Sequence, residues 1–390
     1  MALKTLFALV FAACTVPAAG CQLSDGSPAG DDGSGGGGGS GSDAPSGRLR
    51  IAGPHLVDAA GAPVRLTGIN WFGFETDTYA PHGLWLRTMD SMLDQIAQLG
   101  FNVIRVPFSS ALFDPGSTPK GLDANPGLAG KTGPQILDLL IEKAGARGLR
   151  VILDRHRPDA SAQSELWYTP TVGEQRWIAD WVMLARKYKG NPTVVAYDLH
   201  NEPHASATWG TGDLATDWRL AAQRAGDAIL AVDPDALIIV EGVEIYTGNY
   251  YWWGGNLRGV AGAPVQLSAP DHVIYSPHEY PASIFAQPWF SAPTYPANLP
   301  ALWDATWGGV AASAPVLIGE FGTRLQTDVD RQWLATLAQY IAAKGLSFTY
   351  WSINPNSGDT GGLLGDDWQT VNQDKLSYLT AILAPKLPVR

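Results

Sequence analysis

From Arg48 onward the chain alternates two patterns of apolar and polar positions. Short, nearly continuous apolar runs recur over residues 64–71, 101–108, 150–156, 194–202, 237–243, 273–280, 316–322 and 348–354. Between them lie stretches with apolar residues three and four apart: residues 91–99 stopped by Gly100, 178–189 by Gly190-Asn191-Pro192, 218–232 by Asp233-Pro234, and 332–344 by Gly345. The first pattern predicts strands buried on both faces, and the second predicts helices with an apolar stripe and a glycine or proline stop. Such alternation makes a parallel sheet, and eight units predict a closed (β/α)8 TIM barrel, an α/β fold of one domain over residues 48–390. An open doubly wound sheet would carry a Gly-rich phosphate turn after its first strand, and Gly68-Ile69-Asn70-Trp71 is not one. Residues 49–57 are expected to pair with Val64 onward across Asp58-Ala59-Ala60-Gly61, as a hairpin over the barrel floor. A last helical stretch, 375–383, leads to Arg390; no repeat or second domain is visible.

In such a barrel, chemistry gathers at the C-terminal ends of the strands. Two runs, Leu199-His200-Asn201-Glu202-Pro203 and Ile318-Gly319-Glu320-Phe321-Gly322, each carry an apolar stretch into a carboxylate, so Glu202 and Glu320 are expected at one rim. Around them fall Arg105 on strand two, His156 on strand three, Asn201 on strand four, His278 and Tyr280 on strand six, and Trp351 on strand eight. Any one of these alone reads as a satisfied structural residue; the joint pattern reads as a site. Two carboxylates across a cleft are the minimal equipment for hydrolysing a glycosidic bond. Glu241 and Glu244, after strand five, compete for that role and read better as structural or substrate-contacting. Glu279 should point away from its neighbours on the strand and is assigned no role. The histidines of His200-Asn201-Glu202-Pro203-His204 are four apart, as in a zinc motif, but Pro203 breaks the helix that motif needs, so no metal is assigned.

These strings resemble family 5 glycoside hydrolases, and within them the actinobacterial endo-β-1,4-glucanase (cellulase) type. The resemblance rests on Gly68-Ile69-Asn70-Trp71-Phe72-Gly73-Phe74-Glu75, Asp154-Arg155-His156-Arg157-Pro158, Asp198-Leu199-His200-Asn201-Glu202-Pro203-His204, Tyr251-Trp252-Trp253-Gly254-Gly255-Asn256 and Asp359-Thr360-Gly361-Gly362. It implies Glu202 as acid/base, Glu320 as nucleophile, retention of configuration, and no cofactor. Arg105 and Tyr280 would favour the charged form of Glu320, and Asn201 would bond the 2-hydroxyl of the reacting sugar. His156 and His278 would position substrate and acid/base, and Trp351 would stack under the ring. The charge of Glu320 is expected to raise the pKa of Glu202, and Pro203 to bias Glu202 toward extended backbone. The type carries cysteines near Asp77 and Ala160 and near Thr208 and Thr211, which this chain lacks. The same scaffold also serves β-mannanases and mixed-linkage β-glucanases; a surface protein that only binds glucan is the reading from another class.

Composition adds compartment and partners. Met1 to Gly20 has a short basic start and an apolar core, the form of an export signal, and Ala18-Ala19-Gly20-Cys21 resembles a lipobox. Ala18 stands where leucine is usual, so plain cleavage is the alternative to a lipid on Cys21. Residues 22–47, nearly all Gly, Ser, Asp and Pro, cannot offset their ordering entropy and read as a tether to a cell-envelope surface. Cys14 and Cys21 are the only cysteines, so the folded part has no disulfide and rests on packing. A formal charge of −11 without a Lys/Arg-rich run excludes nucleic acid as a partner, and a monomer acting on β-glucan suffices. Among fifteen tryptophans, Trp85, Trp167, Trp209, Trp252 and Trp253 lie between elements and are candidate sugar platforms, Trp252-Trp253 foremost.

Overall fold

The computed structural model describes residues 47–387. The leader expected over residues 1–21 and the tether expected over 22–47, save the last residue of that stretch, lie outside the described residues. Eight short parallel strands form the centre: β1 Thr67–Asn70, β2 Val103–Ser109, β3 Arg150–Arg157, β4 Val194–Asp198, β5 Ile238–Glu241, β6 Val273–Ser276, β7 Leu317–Ile318 and β8 Ser347–Tyr350. They pair in the order β6-β5-β4-β3-β2-β1-β8-β7. A parallel bridge from Tyr275 to Val316, continued by His278 to Glu320 and Glu279 to Phe321, closes β6 on β7. The predicted barrel is therefore present, with all eight strands where the apolar runs placed them.

Helices α1 Met89–Gln98, α2 Gly133–Gly145, α3 Glu174–Tyr188, α4 Trp218–Leu230, α5 Leu299–Thr306, α6 Asp328–Lys344 and α7 Gln373–Thr380 surround the strands. Their starts and stops have local causes. The Thr88 side chain caps α1, Thr132 and Gln135 form a capping box on α2, and Gly345 closes α6 with a left-handed φ of 63°. The connection from β5 to β6 carries a short 3₁₀ turn, Arg258–Ala261, instead of a helix; its glycines and aromatics offer no apolar stripe. Among the described residues no helix is long and apolar enough to cross a membrane.

The strands' period of two sorts their residues into layers. On β2, Ile104 and Val106 face the helices, while Val103 and Arg105 face inward. On β3 the inward residues are Ile152 and then Asp154; on β4, Ala196 and Asp198; on β5, Ile239 and Glu241. The bottom of the barrel is thus apolar and the next layer up is charged. Beneath the apolar layer, Leu49, Ile51 and Leu56 seal the floor together with Leu66.

That floor is more folded than a single hairpin. Leu56 pairs with Val64 and Val57 with Pro63, as expected, but the segment before them doubles back at Gly53 and pairs Ala52 with His55. Gly53 sits at φ 59°, a turn conformation that glycine permits at no steric cost. Leu66 is fully buried between this ribbon and the strands. Leu66→Ala is expected to lower the unfolding free energy by about 2–5 kcal/mol, read from chemical denaturation; a loss below about 1 kcal/mol would show that the floor collapses onto the cavity.

Candidate active site

The charged layer is organised by Arg105, which is wholly buried. Its Nε donates to Asp198 at 2.9 Å, its Nη1 to Glu320 at 2.7 Å and to Asn70 Oδ1 at 3.1 Å, and its Nη2 to Asn201 Oδ1 at 3.0 Å and Glu241 at 3.1 Å. Asp154 Oδ2 lies 3.1 Å from the same Nη2. Burial alone would lower its pKa, but Asp154, Asp198, Glu320 and Glu241 together raise it well above the ordinary arginine value. Burial in turn pushes Asp198 up to about 7 and Asp154 up to about 6, against the pull of Arg105.

Glu320 receives Arg105 on Oε1 and the Tyr280 hydroxyl on Oε2 at 2.6 Å. Both groups that the sequence placed beside Glu320 thus donate to its carboxylate oxygens. Asn201, with its oxygen fixed by Arg105, leaves its amide nitrogen buried and without a protein partner among the described residues. Glu202 follows β4 in irregular backbone rather than within the strand. Its Oε1 lies 3.0 Å from His278 Nδ1, and its Oε2 accepts from Gln163 Nε2 at 3.0 Å. One oxygen each of Glu202 and Glu320 lie within 4.8 Å of one another, together with a His278 nitrogen. A cation would fit that spacing, yet each of these side chains already has protein partners, and paired-carboxylate hydrolysis needs the same closeness.

Two expectations about Glu202 are corrected. Its backbone is left-handed, with φ 53°, not extended. Its amide donates to Glu241 Oε2 at 2.7 Å, and its carbonyl lies 2.6 Å from His204 Nδ1; these contacts hold a conformation that costs a non-glycine residue roughly 1–3 kcal/mol. Its pKa is lowered, not raised. Burial pushes it up, but the hydrogen bond and positive charge of His278, helped by Gln163, outweigh that. His278 itself is raised well above its ordinary value: burial opposes its charge, while Glu241, Glu320 and Glu202 favour it.

His156 has the opposite fate. Burial pushes it down to about 3, so its ring is neutral, with Nδ1 2.6 Å from Asp154. It stacks on Trp351 at 5.4 Å, and Trp351 stacks in turn on Phe72. Above this group opens a cleft of about 890 Å³, lined among others by His156, Glu202, Trp252, Trp253, Tyr280, Glu320 and Trp351.

A family model described as Cellulase (glycosyl hydrolase family 5) matches residues 57–357. The chain belongs to this family.

Among family-5 relatives, it is 55% identical to an endoglucanase of Paenibacillus polymyxa over 353 residues, covering 88% of this chain and 89% of that protein. It is 44% identical to the major extracellular endoglucanase of Xanthomonas campestris pv. campestris, covering 84% of this chain and 69% of that protein. The solved catalytic domain of the major endoglucanase from that Xanthomonas superposes with a TM-score of 0.83 at 42% identity, covering 86% of this chain and 99% of that domain. The hyperthermophilic endocellulase of Pyrococcus horikoshii gives 0.82 at 39% identity, covering 87% of this chain and all of that one.

The other sequence-derived candidates divide. Trp252 is buried at the cleft wall, and Trp253 is 43% exposed with its ring stacked on His204 at 3.8 Å. Trp85 does not line this cleft; it packs beside His82 and edge-on to Trp368. Trp167 and Trp209 are core residues whose indole nitrogens bond Glu174 and the Ala263 carbonyl. His200 and His204 serve different neighbours, His200 facing Arg155 and Trp218. Glu279 points outward, as expected, onto Tyr251 and Trp333. Ser357, Gly358 and Asp359 wall the cleft, as does Glu244. Gln163, Glu75 and Phe285 also line it, and nothing in the local sequence around Gln163 distinguishes it from an ordinary loop residue.

Arg105→Met would leave Asp154, Asp198, Glu241 and Glu320 buried without their common counter-charge. The expected loss is about 3–5 kcal/mol of unfolding free energy, measured by denaturant titration at neutral pH. A variant as stable as the parent would mean that these carboxylates are already protonated in the folded protein.

Proposed function

We propose that this chain is a retaining endo-β-1,4-glucanase, with Glu320 as nucleophile and Glu202 as acid/base. One observation carries the reading: an oxygen of Glu202 and one of Glu320 lie within 4.8 Å of each other at the base of an open cleft. Retaining glycosidases hold the pair about 5–5.5 Å apart, whereas inverting ones leave a gap of about 6.5–9.5 Å for a water. The named activities of the Paenibacillus and Xanthomonas relatives support the substrate class.

In the first step a Glu320 oxygen attacks the anomeric carbon as the bond to the leaving sugar breaks. Glu202 protonates the departing oxygen, and a glycosyl ester forms on Glu320. In the second, Glu202 takes a proton from water, whose oxygen bonds the anomeric carbon and displaces Glu320 as a carboxylate. Carboxylates raise His278 well above its ordinary value while His278 lowers Glu202, and the two lie 3.0 Å apart, so loading Glu202 is a short transfer from Nδ1 to Oε1. Esterification removes the Glu320 charge, which favours the base form of Glu202 for the second step. The free amide of Asn201 supports a role at the 2-hydroxyl, and the stacked Trp351 a platform for the ring.

Within the family, the actinobacterial type is part of this proposal and rests on the motif strings alone. Placement outside the cell is also part of it, through the leader over residues 1–21, with Cys21 as a lipid attachment point and residues 22–47 as tether; the name of the Xanthomonas relative includes the word extracellular.

Reducing-end release from carboxymethyl cellulose, with galactomannan alongside, tests the substrate: the cellulose derivative should be cut much faster, and the reverse preference would replace the substrate while keeping the mechanism. Proton NMR early in the reaction should show β-configured product, and α-configured product would refute retention. Glu320→Gln is expected to lower kcat by at least about 10³-fold while cello-oligosaccharide binding changes little; substantial residual turnover would place the nucleophile elsewhere.

A further inference from the structure

Glu241, at the end of β5, is wholly buried, does not line the cleft, and has no part in the two chemical steps. Yet its carboxylate touches both halves of the acid/base unit. Oε2 accepts the Glu202 backbone amide at 2.7 Å, and Oε1 lies 3.2 Å from His278 Nε2 while accepting Arg105 Nη2 at 3.1 Å. His278 therefore sits between two carboxylates, with Nδ1 in hydrogen-bond reach of Glu202 and Nε2 at ion-pair distance from Glu241 without a hydrogen bond of its own. The neighbourhood allows Glu241 little movement. A Cβ on Gly254 would lie 2.3 Å from its Oε2 and 3.2 Å from the Glu202 Cα, and Gly254 holds φ 66°. Its own backbone carbonyl accepts the buried indole N–H of Trp218 at 2.9 Å.

We infer that Glu241 is a positioning residue for the acid/base: one carboxylate fixes the left-handed backbone of Glu202 and sets its charge beside the far nitrogen of its imidazole partner. The inference rests on the reading of Glu202 as acid/base. It accounts for two observations that reading leaves open: why Glu202 keeps a conformation its side chain does not favour, and why a buried histidine sits between two carboxylates.

The consequence for pH follows from the charges around the pair. His278 faces Glu202 beyond β4, Glu241 on β5 and Glu320 beyond β7; Glu241 faces Arg105 on β2, with Asp198 on β4 and Asp154 on β3 sharing that guanidinium. The basic limb of kcat/KM reports loss of the one proton held by the His278–Glu202 pair. Burial pushes Glu241 up to about 8 while His278 and Arg105 pull it down, and in its ionised form it adds negative charge beside that proton and keeps it bound to higher pH. Removing the charge should move the basic limb down.

The test compares Glu241→Gln and Glu241→Asp with the parent in the full chain, on 4-nitrophenyl β-cellobioside and carboxymethyl cellulose. Glu241→Gln should lower kcat at least about tenfold with KM within about twofold, and should move the basic limb down by about one pH unit, with the acidic limb unmoved. Glu241→Asp, which keeps the charge but is too short to reach both partners, should lose kcat and keep the parental basic limb. If Glu241→Gln does not fold, the kcat of Glu241→Asp decides. Parental rate and pH profile in the folded variants would overturn the inference. Glu202→Gln, run in parallel, separates the two readings: if it cleaves carboxymethyl cellulose at the parental rate, the acid/base assignment fails, whatever Glu241 does.

Discussion

The structure depends on one guanidinium held inside the barrel. Arg105 ties together residues of β1, β3, β4 and β5 and the segments that follow β4 and β7. A buried charge without partners is costly, so the strands must close in the register that brings every partner to within hydrogen-bond reach. Arginine suits the task because its planar fork carries five donors and stays charged when buried. The apolar layer beneath supplies the driving force for closure, and the charged layer supplies the requirement that closure occur in one way.

Much of this could be read from the chain because a strand's period is two. An apolar residue at Val103 forces Arg105 to the same inner face, and Ile152, Ala196 and Ile239 do the same for Asp154, Asp198 and Glu241. The rim residues were legible for the same reason, together with the motif strings around them. What could not be read depends on contacts between distant loops. The left-handed φ of Glu202 is held by Glu241, 39 positions away, and Gln163 reaches Glu202 from a loop with no periodicity. Trp85, Trp167 and Trp209 share a sequence context with Trp253, and tertiary packing alone separates core indoles from a cleft wall.

His156 and His278 show how far local charge decides a histidine's state. Both are buried beneath the cleft, and burial alone would strip the proton from each. For His156 burial prevails, with Arg105 and Arg157 acting in the same direction, and the neutral ring serves as a stacking surface for Trp351. His278 has carboxylates on both ring nitrogens, and they reverse the outcome. One site therefore pushes one imidazole 4.0 Å from Glu320 toward its neutral form and another, 3.5 Å from the same carboxylate, toward its charged form.

Trp253 is among the more exposed large side chains of the described residues, and its ring is clamped face to face on His204. An exposed tryptophan ordinarily samples several rotamers and must give them up when a ligand lies against it. Here the stack removes that freedom as the protein folds, before any sugar arrives. Any ring that came to lie against Trp253 would meet a surface already flat and still, so little of the attraction between them would be spent on ordering the protein.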